Sequence, residues 1–166
     1  PDVSERTVQL CRQYIDTGVV DAIQVIYSIF RQRNAEVFGT AQDTGVAVVS
    51  RTALESGFLT AKYDNGHAFQ TGDHRLRYGT STLSRIYAAV HEIEEICSGF
   101  TQLSTPEVAL RFVLDRPDIT SVLVGARNGD QMRRNLAVLR REPLPEDLVR
   151  SLVNLYGSRS EEFNIQ

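Results

Sequence analysis

Val19-Val20-Asp21-Ala22-Ile23-Gln24-Val25-Ile26-Tyr27 is almost continuously apolar and rich in β-branched residues, with one amide, Gln24, near its centre. A run of this kind reads as a strand covered on both faces, as in a parallel sheet. Upstream, Val8, Cys11, Tyr14 and Ile15 recur at helical spacing behind a candidate N-cap at Ser4. Gly18 is placed to stop that helix, so residues 2–16 read as helical. Downstream, Asn34 is placed to cap a short helix through about Asp43, Thr44-Gly45 ends it, and Val46-Ala47-Val48-Val49-Ser50 reads as a second buried strand. Residues 51–80 form a long connection rich in Gly, Thr, Asp and His with no strong period, and connections of that length are usually functional or disordered. Helical periodicity returns over 82–98. Thr105 as N-cap and Pro106 at the first helical position open a further helix. Ile119 to Val124 reads as a third buried strand, followed by helices at about 129–140 and 145–156, the last with Glu146 and Asp147 where carboxylates favour a helix start. Strands alternating with helices imply βαβ units and a parallel α/β sheet. Three strands alone leave two open edges, so either another copy pairs with the chain or the rest of the sheet lies elsewhere.

Composition narrows the function classes. The chain has 166 residues, 42% of them hydrophobic, and 18 Lys+Arg against 21 Asp+Glu give a net charge of −3. That is the profile of one globular domain rather than a disordered tail. It offers no electrostatic case for nucleic acid or an anionic membrane as partner, and no apolar run is long enough to span a bilayer. Cys11 and Cys97 have neither a disulfide framework nor metal-ligand spacing, which fits a reducing cytoplasm and no metal site.

Several segments, in order, resemble one family, the aldo-keto reductases. Asp21-Ala22-Ile23-Gln24-Val25-Ile26-Tyr27-Ser28 is similar to the sixth barrel strand, with its Asp-x-x-Gln-x-x-Tyr pattern. Gly45 to Tyr63 resembles the seventh strand and its Pro-Leu-x-x-Gly-x-Leu-Thr-Gly-Lys-Tyr loop, with Ala53 in place of the Pro and Ala61 in place of the second Gly. Gly72-Asp73-His74-Arg75 matches a Gly-Asp-x-Arg of the bacterial branch. Val108 to Leu114 and Ser121 to Asn135 resemble the closing helix, the eighth strand and the cofactor-tail motif. The resemblance spans nearly the whole chain and implies a single partial domain over residues 1–166. Its fold would be the C-terminal portion, about strands 6–8 with their helices, of a (β/α)₈ TIM barrel, a fold that takes about 250 residues when whole. Pro1-Asp2-Val3 falls where family members continue after the fifth strand.

The same resemblance assigns roles. Gln24 would pair its amide with the nicotinamide carboxamide, and Arg51 would stack on the ring or reach the pyrophosphate. Leu54, Gly57 and Leu59 would offer backbone contacts to the phosphates, with Gly57 permitting close approach. Gly125 and the helix start near Asn128 suit a phosphate, and Arg127 would take a 2′-phosphate, favouring NADP(H) over NAD(H). Gln131 and Asn135, four apart on one helical face, would read the adenine edge. Asp73 reads as loop architecture bonding the backbone, Arg31, Gln32 and Arg33 as a solvated turn, Glu92, Glu94 and Glu95 as a solvated helix face, and the two cysteines as inert core thiols. Residues from Arg159 onward read as a polar tail.

The family's catalytic Asp, Tyr, Lys and His would lie in the other half, so no catalytic residue is assigned within this chain, which alone is expected to be inert. The expected parent is an NADP(H)-dependent reductase of small-molecule carbonyls. The alternatives are a cofactor-binding or regulatory protein without turnover, and a half-barrel that dimerises. The partner expected at the open edges is the N-terminal half or a second copy.

Overall fold

The computed structural model describes residues 4–163. The first helix, α1, runs Glu5–Asp16; Ser4 is extended and its hydroxyl accepts the N–H of Thr7 at 3.4 Å, so the cap read from the sequence is borne out. Residues 2 and 3 of that reading lie outside the described residues. Gly18 turns the chain at φ +68° and donates its N–H to the Ile15 carbonyl, closing the helix end.

Three parallel strands follow: β1 Ala22–Ile26, β2 Ala47–Arg51 and β3 Ser121–Leu123, side by side in that order. Gln24 lies opposite Val49, and Ile26, Arg51 and Leu123 line up across the sheet at the strands' C-terminal ends. Side chains alternate between faces along a strand. One face therefore carries Ile23, Val25, Val48 and Ser50, all buried, and the other carries Ala22, Gln24, Val49, Arg51, Ser121 and Leu123, which are exposed or half-exposed, with Ile26 at the end of β1 the one buried strand residue on that side.

This corrects the reading of strands covered on both faces. Val19 is 80% exposed and outside β1, Gln24 is exposed rather than enclosed, and Leu123 of β3 is 48% exposed. The reason is one-sided cover combined with β3 being an edge strand. Continuous apolar runs predict two-sided burial only when both faces have something to pack against.

The covered face packs on helices. Val8 and Ile15 of α1, Val37 before and Phe38 and Ala41 within α2 (Phe38–Asp43), and five residues from Val108 to Val113 of the later helix Thr105–Leu114 share one core with the strands. Tyr27 anchors it, stacked on Phe112 at 5.7 Å between centroids and edge-on to Phe38 at 5.3 Å. Beyond the sheet, α3 (Thr80–Ser98) and α4 (Thr105–Leu114) pack together, and α4 opens on a capping box in which Glu107 accepts from the N–H and hydroxyl of Ser104. The N-cap is thus Ser104, one residue before the Thr105 read from the sequence, because the glutamate three residues on selects the serine.

Asn34 does not cap a helix either. Residues Arg33–Val37 form a 3₁₀ turn ahead of α2, and the buried Asn34 amide donates to the Ile26 carbonyl at 2.9 Å, sealing the end of β1. After β3, α5 (Gly129–Ala137) starts on the Asn128 cap and tightens into a 3₁₀ turn at Val138–Arg140. No residue of α5 is buried, although Met132 and Leu136 are apolar. α6 (Glu146–Tyr156) has Glu146 and Asp147 in its first turn, as expected. The segment from 157 is not merely a polar tail: it folds as a 3₁₀ stretch that lays Phe163 on Phe30, 4.5 Å between centroids. Its last three residues, 164–166, lie outside the described residues. Among the described residues no helix is long and apolar enough to cross a membrane.

Candidate cofactor site

The chain's polar residues gather where the strands end. Directly after β1, Ser28 and Arg31 close a tight turn through reciprocal backbone bonds, each 3.2 Å. Arg31 is buried and forks onto Glu55, with Nε to Oε1 at 3.0 Å and Nη2 to Oε2 at 2.7 Å, while the Ser28 hydroxyl donates to the same carboxylate. Gln32, also buried, reaches the carbonyls of Ile29 and Leu152 at 2.7 and 3.2 Å. Arg31 and Gln32 are therefore structural groups out of water, and the solvated turn read there from the sequence is corrected. Nothing in a local Arg-Gln-Arg stretch signals a carboxylate 24 residues away.

Glu55 belongs to the loop after β2, and that loop is conformationally strained. Thr52, Glu55, Ser56 and Ala61 all have φ between +48° and +70°, and among the described residues no other non-glycine has positive φ. Each such residue costs about 1–2 kcal/mol in the left-handed region, so the segment persists only because its surroundings over-determine it. The buried Arg31–Glu55 fork, Leu59 with no exposure and Phe58 packed among Tyr63, Phe69, Tyr78 and Tyr87 supply that constraint.

The remainder of the long connection folds around a second guanidinium. Arg75 is 2% exposed, lies 4.5 Å over the Tyr63 ring and 4.8 Å over Phe69, and donates to Asp73 at 2.8 and 2.6 Å and to the Ser56 carbonyl at 3.3 Å. Asp73 also accepts the Arg75 N–H at 2.9 Å and so caps the 3₁₀ turn His74–Arg77, matching the architectural role read for Gly-Asp-x-Arg. The hydrogen bonds from Arg75 hold the Asp73 carboxyl well below the ordinary carboxylate range. The same carboxylate lies 3.9 Å from the Arg127 guanidinium, joining this loop to the turn before α5.

The sequence-predicted residues fall as follows. Gln24 and Arg51 share the uncovered sheet face, Arg51 half-buried at the end of β2. Gly57 stands at φ +90°, where a Cβ would come 3.4 Å from the Arg75 guanidinium and 3.7 Å from the Tyr63 ring, so its close approach is to those two side chains. The N–H groups of Gly57 and Leu59 both donate to the Leu54 carbonyl, at 2.8 and 3.3 Å, and are engaged within the loop. Gly125 and Arg127 are exposed in the turn after β3. Gln131 accepts the Arg127 N–H at 2.7 Å and Asn135 reaches the Gly125 carbonyl at 3.5 Å, so both amides brace the turn from one face of α5. Asn128 accepts the Gln131 N–H at 2.9 Å, leaving the N–H groups of Gly129 and Asp130 as those the helix itself does not satisfy. The arrangement presents donors and cations at the strand ends, a surface suited to an extended anion. Cys97 is buried, and burial pushes its thiol up to about 11, while burial also raises Cys11; both are poor nucleophiles. Glu92 accepts the Tyr156 hydroxyl at 2.9 Å, so that acidic helix face is only partly solvated.

The parallel α/β sheet has its polar groups collected beyond the C-terminal strand ends, the end at which barrel and doubly wound folds place their ligands. The Aldo/keto reductase family matches residues 4–156, and the chain belongs to it. The chain is 27% identical over 130 residues to the NADH-specific methylglyoxal reductase of Escherichia coli, covering 77% of this chain and 40% of that protein. It is 24% identical over 151 residues to the oxidoreductase YqkF of Bacillus subtilis, 90% and 47% of the two chains. Among solved structures, the holo form of aldo-keto reductase AKR11C1 from Bacillus halodurans superimposes with a TM-score of 0.65 at 22% identity, over 91% of this chain and 48% of that one. The glycerol dehydrogenase AKR11B4 from Gluconobacter oxydans gives 0.70 at 20%, over 94% and 47%. The chain thus spans about half the length of the relatives it matches.

Two outcomes follow from the geometry. Arg31→Ala leaves the Glu55 carboxylate buried without its countercharge and should lower unfolding free energy by about 3–5 kcal/mol in urea titrations, while Arg31→Gln with Glu55→Gln loses clearly less than the two single changes added. Acid should loosen the Arg75 loop late. An unfolded Asp takes up its proton near pH 3.9, whereas folded Asp73 does so lower, so the contact's stability is complete above about pH 4 and fades as pH falls further. Near-UV tyrosine dichroism should stay level from neutral pH to that point and decline only below it, and Asp73→Asn should remove that component.

Proposed function

We propose that the protein supplies the cofactor-holding part of an NADP(H)-dependent carbonyl reductase, with the fold of the C-terminal portion of a (β/α)₈ barrel. The observation that carries this is a shared face: Gln24 in the middle of β1 and Arg51 at the end of β2 lie on the same side of the sheet, and Arg127 and the α5 N-terminus follow β3, the strand beside β2. The donor set fits a dinucleotide. An exposed guanidinium and unsatisfied helix N–H groups suit phosphate, and a side-chain amide suits a carboxamide. The fit is weaker at the middle of the loop, where the Gly57 and Leu59 amides are already engaged, so Leu54, Gly57 and Leu59 shape the loop's approach more than they donate.

On this reading Gln24 fixes which way the nicotinamide faces and Arg51 lies against it. Arg127 neutralises a 2′-phosphate, and Gln131 and Asn135 hold the turn that carries Arg127 while bordering the adenine. When bound, the nicotinamide supplies the hydride for carbonyl reduction. Protonation of the product oxygen falls to groups beyond the described residues, in keeping with the family's Asp, Tyr, Lys and His set. The relative from Escherichia coli is named NADH-specific, so NADH is the cofactor against which the NADP(H) reading is tested. A small-molecule carbonyl substrate and a cytoplasmic setting complete the reading.

A second reading concerns what completes the sheet. The uncovered face of β1–β3 and an α5 with no buried residue favour further βα units, or a second copy, lying against them.

Charge-assisted bonds to a phosphate are worth about 1.5–3 kcal/mol. Arg127→Ala should therefore weaken NADPH binding by about ten- to a hundredfold in fluorescence titrations and leave NADH within about threefold; equal losses would reject the 2′-phosphate role. For the sheet, sedimentation of the protein should give a mass well above the 18.6 kDa of this chain. A particle of 18.6 kDa with cooperative unfolding would count against any completing partner.

A further inference from the structure

We infer that Asp73 narrows the cofactor preference, by holding a carboxylate against the guanidinium that would receive a 2′-phosphate, so that NADH competes closely with NADPH. The inference rests on the assignment of Arg127 to the 2′-phosphate given above. Its basis is the 3.9 Å approach of Asp73 Oδ2 to Arg127 Nη2.

Asp73 is held in place by three hydrogen bonds, all from Arg75. Its side chain is 16% exposed and fixed by the Arg75 fork and backbone N–H, at 2.6 to 2.9 Å, so it cannot swing away when an anion arrives. Arg127 is 70% exposed. The other titratable groups facing the carboxylate are Arg75, which offsets part of its charge, and His74, whose Nδ1 is 3.7 Å away. Asp130 at the start of α5 is 71% exposed and directed to Arg133 rather than to Arg127.

A phosphate on Arg127 would thus lie one guanidinium away from a fixed anion. The 2′-hydroxyl of NADH carries no charge and meets no such repulsion. The charge on Arg75 and the surrounding water reduce the effect without reversing its sign. Asp73 also belongs to the long loop and Arg127 to the turn after β3, so the contact couples two segments that the cofactor would touch together.

The test compares NADPH and NADH affinity, by fluorescence titration of the protein, for Asp73→Asn and Asp73→Ser, each made alone and with Arg127→Gln. Both substitutions keep an oxygen for the Arg75 N–H, and near-UV tyrosine dichroism reports whether the loop remains packed. The NADPH-to-NADH affinity ratio should rise about three- to tenfold in both single variants and not change in the Arg127→Gln background. An unchanged or lower ratio overturns the inference, as does a rise that persists without Arg127, since that would be an effect of the loop. Binding of neither dinucleotide by the unaltered protein overturns the cofactor assignment and this inference with it. Binding of both with a constant ratio overturns this inference alone.

Discussion

Two charges taken out of water, Arg31 and Glu55, hold the functional end of the molecule in shape. Desolvating such a pair is expensive, and the expense is offset only when geometry is good and the remaining lone pairs are satisfied. Here the guanidinium makes a two-point fork and the Ser28 hydroxyl takes a further share of the carboxylate. A lysine could not replace that planar fork. Through it the turn after β1 and the loop after β2 become one unit. The left-handed backbone of Glu55 and Ser56 is then the consequence of placing a carboxylate where Arg31 can reach it, and Phe58 and Leu59 are delivered into the core just beyond.

The stretch from Asp64 to Gly79 would have little to fold around if aliphatic burial were required, since it holds Ala68, Phe69, Leu76 and Tyr78, and Leu76 is 54% exposed. It uses a cation instead. The Arg75 guanidinium lies over the rings of Tyr63 and Phe69, while its nitrogens satisfy Asp73. A delocalised, weakly hydrated ion can be buried this way at lower cost than a compact ammonium. The long, aperiodic connection is therefore an ordered structure built on ring and charge contacts, a kind of order that hydrophobic periodicity does not register.

That contrast explains which features could be read from the chain. Ser4, Gly18, Asn128 and the acidic start of α6 act on atoms three or four residues away, and the structure places them as their local chemistry demands. The parallel strands, and the placing of Gln24 and Arg51 on one sheet face with Arg127 in the turn after β3, follow from βα alternation together with family resemblance. Arg31, Gln32, Asn34 and Arg75 were opaque because their partners are distant in sequence or presented by backbone carbonyls. The exposure of β3 and of Gln24 was hidden for a different reason. An apolar run records what a strand is suited to touch, and says nothing of whether the touching surface belongs to the residues at hand.

The uncovered sheet face also limits the chemistry it can perform. Its polar side chains are an amide, Gln24, and a guanidinium, Arg51, with Ser121 at the far end of β3. An amide and a guanidinium orient, stack and neutralise, but neither gains or loses a proton near neutral pH. The histidines do not supply what is missing. His67 packs between Tyr63 and Phe69, His74 lies beside Asp73, and His91 faces Glu95 on the exposed side of α3. On the proposed function this face holds and aims the cofactor, and a reaction that consumes a proton there takes it from a titratable group outside the face. The one-sided packing and the division of labour between binding and acid–base chemistry are two views of the same geometry.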